Sequence, residues 1–125
     1  GFMAVSFTDP NLPEDLIPYW DFNAPEIPNE PRDASAATCI ASALYELSTY
    51  VPEYKALYKE EADRILENLT AHYRAKPNGD NGFLLLHSTG SKPHNSEIDV
   101  PIVYADYYFL EALIRKNKLE KEQKL

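Results

Sequence analysis

Four groups of side chains in this sequence have types and spacing that could do chemistry. His87-Ser88-Thr89-Gly90-Ser91-Lys92-Pro93-His94 offers hydroxyl and cationic donors and no acid, which suits an anionic ligand. Trp20 beside Asp21 could stack on a sugar ring and hold its hydroxyls; the competing reading is a Trp that plugs a loop against the body of the fold. Arg32-Asp33 stands before a helical pattern. There Arg32 could attract a carboxylate, helped by the partial positive charge of a helix N-terminus, or it could simply pair with Asp33 acting as N-cap. Tyr104, Asp106, Tyr107 and Tyr108 open a later helix, with Asp106 expected to cap or bond locally rather than to react. His87 and His94 could suggest a metal, but no third ligand stands near them, so neither metal nor cofactor is expected. The single cysteine, Cys39, excludes an internal disulfide and a cysteine-based zinc cage; it reads as a small core residue.

The elements that must position these residues follow from pattern. Residues 1–33 form an extended, turn-rich lead, because Pro10, Pro13, Pro18, Pro25, Pro28 and Pro31 each fix φ and discourage helix just before them. Leu16, Ile17, Tyr19, Trp20, Phe22 and Ile27 are too apolar for a disordered linker, so the lead should pack on the rest. Helix A is predicted from the Asp33 cap to about Tyr50. Between Ala34 and Tyr50 only Glu46 is charged, and the side opposite the apolar stripe carries Ser35, Thr38, Ser42 and Thr49, so the helix should be covered on most sides. Helix B, from Pro52 to about Tyr73, is one-sided, with Lys55, Lys59, Glu60, Asp63, Arg64 and Glu67 on the solvent face. After the turn cluster of residues 77–82, Phe83 to His87 reads as a short strand. Helix C should span about Ile102 to Lys118 as a second covered helix, followed by a charged tail over 119–125.

Composition narrows the partners. Twelve Lys and Arg stand against twenty Asp and Glu, which argues against nucleic acid. No apolar run approaches the roughly 20 residues of a membrane helix. No secretory leader is visible, and the compartment stays open between cytoplasm and periplasm. Covered, exposed, covered helices fit two concentric layers rather than a three-helix bundle. Three helices cannot close such a ring, so the chain reads as part of something larger.

The stretches Pro18-Tyr19-Trp20-Asp21-Phe22, Pro31-Arg32-Asp33-Ala34-Ser35-Ala36, Gly82-Phe83-Leu84-Leu85-Leu86-His87-Ser88 and Tyr104-Ala105-Asp106-Tyr107-Tyr108-Phe109-Leu110-Glu111-Ala112-Leu113 follow one another at a spacing that resembles the late region of the unsaturated glucuronyl hydrolases, glycoside hydrolase family 88. The resemblance covers residues 10 to 116. It implies an all-α fold, part of an (α/α)₆ six-hairpin barrel with three main helices alternating inner and outer. It also implies hydrolysis of oligosaccharides ending in a 4,5-unsaturated uronic acid, in which an Asp protonates C4 and delivers water to C5. The family's catalytic Asp residues lie upstream of anything present here, so no catalytic residue is carried over, and the isolated chain is expected to be inactive. Trp20, Arg32, His87, Ser88, Thr89, Ser91 and Lys92 are the candidate substrate contacts. In sulfate-accepting relatives a Ser-rich stretch ending in Lys lies near residues 88–92, and here Lys92 stands one residue short of that spacing, which leaves sulfate preference open. The alternatives are a non-catalytic helical module that binds acidic sugars, self-associates or pairs with a missing N-terminal portion, and a relative acting on unsaturated rhamnogalacturonan fragments.

Overall fold

The computed structural model describes residues 11–76, 82–90 and 92–123. Three α-helices carry the fold: α1 (Ala34–Tyr50), α2 (Lys55–His72) and α3 (Val103–Gln123), with 3₁₀ turns at Pro52–Tyr54 and Lys92–His94. No helix among the described residues is long and apolar enough to cross a membrane.

Helix α1 begins where Asp33 leaves the helical region (φ −126°, ψ 92°) and its carboxylate accepts from the Ser35 amide at 3.0 Å. It ends at Tyr50, because Val51 precedes Pro52 and is held extended. The helix is buried on several sides, including the small polar residues Ser35, Thr38, Ser42 and Ser48. The hydroxyls of Thr38 and Ser48 satisfy themselves by donating to the carbonyls of Ser35 and Tyr45, at 2.7 and 2.6 Å. That local bonding is why a helix with a single charged residue, Glu46, can be covered over polar as well as apolar side chains.

Helix α1 is sandwiched between α2 and α3, which make little contact with each other. α1 and α3 run parallel. Both start at residues 84–88: the Ala34 amide donates to the His87 carbonyl at 3.0 Å, and the Asp106 carboxylate accepts from the Leu84 and Leu85 amides at 2.8 and 3.1 Å. Farther along, Ser42 donates to Glu111 at 2.5 Å, and Arg115 reaches the Ser42 carbonyl at 2.9 Å and Glu46 at 3.3 Å. α2 runs the opposite way, with Lys59 paired to Glu120 and Asp63 to Lys116. Two parallel helices side by side, joined by an antiparallel one behind them, form the inner–outer–inner order expected. The core joins Ile17 of the lead, Leu44 and Tyr45 of α1, Ile65 and Leu69 of α2, Leu85, and Phe109 of α3.

Three expectations need correction. Helix C runs on to Gln123, because Leu119 continues the buried face and Lys116–Glu120 adds an i,i+4 pair. Its coverage is one-sided: Ala105, Phe109 and Ala112 are buried, while Val103, Tyr107, Leu110 and Ile114 face outward. Phe83 to His87 forms no strand. It makes one isolated antiparallel bridge, Arg74 with Leu85, flanked by Ala75 N–H to Leu84 O at 2.9 Å and Leu86 N–H to Tyr73 O at 2.8 Å. His87 then turns to φ +62°, which ends any ladder.

The described part of the lead packs as expected. It doubles back on itself, with Tyr19 bridged to Arg32, Trp20 N–H to Pro31 O at 3.0 Å and Asp33 N–H to Pro18 O at 2.9 Å. Leu16, Ile17, Pro18 and Tyr19 are buried, and Asn68 of α2 pins the lead by donating to the Asp15 carbonyl at 2.7 Å.

Candidate functional site

The lead and residues 87–100 meet over the N-terminus of α1. The loop is a closed excursion: Ser88 and Val100 exchange backbone bonds at 2.9 Å, and Gly90 N–H donates to Glu97 O at 2.8 Å. Thr89 ties it down. Its amide donates to Asp33 at 3.2 Å, its hydroxyl donates to the Arg32 carbonyl at 3.1 Å and accepts from the Asp99 amide at 3.2 Å. Asp33 therefore caps α1 and anchors the loop with one carboxylate. Ser88 and Thr89 are buried, and the Ser88 Oγ has no hydrogen-bond partner among the described residues. Ser91 lies outside the described residues.

His87, unlike Ser88 and Thr89, is exposed. Its Nδ1 pairs with Asp99 at 2.6 Å, and its ring meets Tyr73 edge-on at 5.7 Å between centroids. A neutral imidazole donating from Nδ1 to Asp99 keeps its other nitrogen as an acceptor. His87 and Arg32 line one open cavity of about 390 Å³ with Asp15, Glu30, His72, Tyr73 and Asp99. Arg32 is heavily engaged there. Its Nη1 donates to both Asp15 oxygens at 2.9 and 3.1 Å and to the Ile17 carbonyl at 2.8 Å, and its guanidinium lies 4.8 Å over the Tyr19 ring. Burial works against the Arg32 charge, but the Asp15 hydrogen bond together with the nearby Tyr73, Asp15 and Tyr19 outweighs it and the pKa rises. Tyr73 is pushed up to about 12, chiefly by burial, with Arg32 opposing.

Lys92 and Trp20 come together through a residue the sequence did not single out. Glu30, with a fully buried carboxylate, pairs with Lys92, accepts from Trp20 Nε1 at 3.2 Å and from the Glu26 amide at 3.1 Å. Lys92 Nζ also sits 5.3 Å from the centre of the Trp20 ring. The Lys92 hydrogen bond holds Glu30 below the usual carboxylate range against the opposing effect of burial. Behind Trp20 lies a second cavity of about 210 Å³, walled by Phe22, Asp33, Ala36, Cys39 and Ile40. Burial raises the Cys39 thiol. Asp21 spends its carboxylate on the Asn23 amide at 2.7 Å. An indole flanked by a cation offers a ring face with an anion anchor beside it.

The structure thus gathers Trp20 with Lys92, and Arg32 with His87, while Asp106 is structural in another way than expected: it holds the Leu84 and Leu85 amides rather than capping its helix or bonding a Tyr hydroxyl. Asp15, Glu30, Tyr73 and Asp99 were missed. Each owes its place to a partner far along the chain, and no local spacing marks it. Among the described residues no three His, Cys, Asp or Glu side chains gather where they could hold a metal ion.

No family model matches the chain. It is 54% identical over 110 residues to an unsaturated glucuronyl hydrolase of Formosa agariphila, a match covering 87% of this chain and 27% of that protein. Its fold is similar to the crystal structure of an unsaturated glucuronyl hydrolase specific for heparin, with a TM-score of 0.90 and 47% identity over 94% of this chain and 32% of the other. It is also similar to an unsaturated glucuronyl hydrolase mutant from Streptococcus agalactiae complexed with dGlcA-GalNAc6S, with a TM-score of 0.78 and 33% identity over 87% of this chain and 30% of that one. The chain therefore spans less than a third of the length of each. These neighbours are α/α barrels, which accounts for the parallel inner pair and the antiparallel outer helix. In sequence and in fold the chain is thus similar to less than a third of the length of unsaturated glucuronyl hydrolases, and its three helices correspond to part of an α/α barrel.

Proposed function

We propose that this chain is the C-terminal part of a glycoside hydrolase that removes 4,5-unsaturated glucuronic acid from lyase-generated glycosaminoglycan oligosaccharides by hydrating the C4=C5 bond. The observation that carries the reading is the match to the heparin-specific hydrolase, close in both fold and sequence over nearly the whole chain. In this reading the general acid–base carboxylate comes from the remaining part of the barrel, and this chain supplies one edge of the substrate site. Trp20 gives the edge a ring face, Lys92 an anion anchor and His87 an exposed hydrogen-bonding group. Arg32, Ser88 and Thr89 support that edge from behind, since Arg32 is spent on Asp15 and the two hydroxyl residues are buried.

The test offers unsaturated disaccharides of chondroitin and of heparin to the pure 125-residue chain and to a full-length hydrolase carrying this sequence, and follows loss of the double-bond ultraviolet absorbance. Turnover is expected from the full-length protein alone. Turnover by the isolated chain would place the catalytic group within these residues, and a silent full-length protein would sink the hydrolase reading.

A further inference from the structure

His87 and Asp99 stand immediately before Ser88 and Val100, the two residues whose backbones exchange hydrogen bonds to close the loop. Both lie in the left-handed region, His87 at φ +62° and Asp99 at φ +51°, a conformation that His, Asp and Asn tolerate better than other side-chain-bearing residues. The Asp99 amide donates to the Thr89 hydroxyl at 3.2 Å, and Thr89 is itself tied to Asp33 and Arg32. The backbone under the pair is therefore held, while both side chains are about half exposed.

Asp99 spends its carboxylate on one group. It accepts from His87 Nδ1 at 2.6 Å and makes no other hydrogen bond among the described residues. An ionised carboxylate can only accept, so Nδ1 carries the proton and the neutral ring keeps a lone pair on Nε2. Tyr73 meets the same ring edge-on, which fixes it from a second side. Nε2 has no partner among the described residues, and His87 lines the open cavity of about 390 Å³. Three acids line that cavity, Asp15, Glu30 and Asp99, and its one arginine is already held by Asp15. A sulfate or carboxylate brought to Nε2 would meet a lone pair and these charges, with no free arginine or lysine to offset them. A hydroxyl can donate to Nε2 and leave every existing pair in place.

We infer that Asp99 is a positioning residue of the substrate edge: it fixes His87 so that Nε2 accepts a hydrogen bond from a free sugar hydroxyl, at a place where the surrounding acids turn an anionic substituent away. The hydrolase reading supplies the sugar. The edge then has two unlike ends, an anion anchor at Lys92 and a hydroxyl acceptor at His87.

The experiment uses the full-length hydrolase carrying this sequence, labelled with 15N-histidine, and the unsulfated unsaturated chondroitin disaccharide as probe. At about pH 8 the His87 ring should carry its proton on Nδ1, and saturation with the disaccharide should shift the Nε2 resonance. Asp99→Asn keeps a residue that tolerates left-handed backbone, and its amide can donate to Nδ1, which reverses the tautomer. A hydroxyl can turn to accept from the new Nε2–H, so the loss is partial: KM should rise about three- to tenfold with kcat little changed. His87→Asn, also tolerant of that backbone and too short to reach the sugar, should cost at least as much, and adding Asp99→Asn to it should cost nothing more. A merely structural Asp99 would not give that last result. Additive losses, an unchanged KM in either single variant, a wild-type ring protonated on Nε2, or an Nε2 resonance that ignores the disaccharide overturns the inference. The wild-type tautomer and shift decide the matter if a variant fails to fold. In a protein without turnover a calorimetric Kd takes the place of KM. The same non-additive cycle there upholds the inference and sinks the hydrolase reading; turnover with an additive cycle does the reverse.

Discussion

Replacing Tyr45 by Phe removes one oxygen from the centre of the molecule and tests how the three helices are tied together. Tyr45 is buried on α1, and its hydroxyl donates to Asp63 of α2 at 2.5 Å. Asp63 also accepts from Lys59 at 2.8 Å and pairs with Lys116 of α3 at 3.4 Å, so one carboxylate joins all three helices. A hydrogen bond to a charged acceptor contributes about 1.5–3 kcal/mol. Asp63 is partly solvated and keeps both lysines, which places Tyr45→Phe at the low end, about 1–2 kcal/mol. Urea denaturation at pH 7 should show that loss as a lower midpoint with an unchanged slope. The pH dependence has a defined sign. Burial alone would raise Asp63, but the Lys59 and Tyr45 bonds hold it below its ordinary value of 3.8. Its contribution is therefore complete above pH 3.8 and is lost as the pH falls through the lower folded value. Tyr45 itself stays protonated, since burial and then Asp63 raise its pKa. The deficit of the Phe variant should accordingly shrink on acidification. A deficit under about 0.3 kcal/mol at pH 7, or one that is constant down to pH 2, would refute the reasoning.

Two further substitutions probe the candidate site. Ser88→Ala should raise stability by about 1 kcal/mol, because the buried hydroxyl has no partner among the described residues and the backbone pairing with Val100 is kept; a lower urea midpoint would reveal a bond to Ser88 Oγ. Trp20 is the chain's single tryptophan, so its emission reports on Glu30 and Lys92: it should step as the pH falls below 4.5, where Glu30 takes up its proton and Lys92 loses its partner, and Glu30→Gln should abolish the step. The same step surviving in the Gln variant would show that another group titrates.

Local signals were legible and long-range ones were not. The Asp33 cap and the break at Pro52 follow from neighbours within four residues and lie where the pattern places them; of the charged face of α2, Glu60, Arg64 and Glu67 are exposed as expected, whereas Lys59 and Asp63 turn to α3. The end of α3 was misplaced because the positive tail resembles a frayed terminus, when Leu119 is buried and Glu120 bonds back to Lys116. Of the two readings of Arg32, a local pair with Asp33 does not form. The Ser35 and Thr89 amides occupy that carboxylate instead, and the guanidinium turns to Asp15, seventeen residues back. Lys92 finds Glu30 across 62 residues, a meeting set by how the lead folds over α1 and by nothing either residue carries locally.

The acidity of the lead takes on a specific meaning at that meeting point. Residues 1–33 hold seven acidic side chains against one basic, and two of the seven, Asp15 and Glu30, lie against Arg32 and Lys92, two of the cations an anionic sugar would seek. An incoming carboxylate or sulfate must therefore compete with a carboxylate already in place. At Arg32 the competition is steep, because the guanidinium also holds the Ile17 carbonyl and lies over Tyr19. At Lys92 it is milder, since a flexible ammonium can turn from Glu30 toward a ligand while staying near the Trp20 ring. Glu30 would then remain buried with only the Trp20 and Glu26 N–H groups to stabilise its charge. Under the proposed function, anion binding at Lys92 would be coupled to proton uptake by Glu30, and it should tighten as the pH falls.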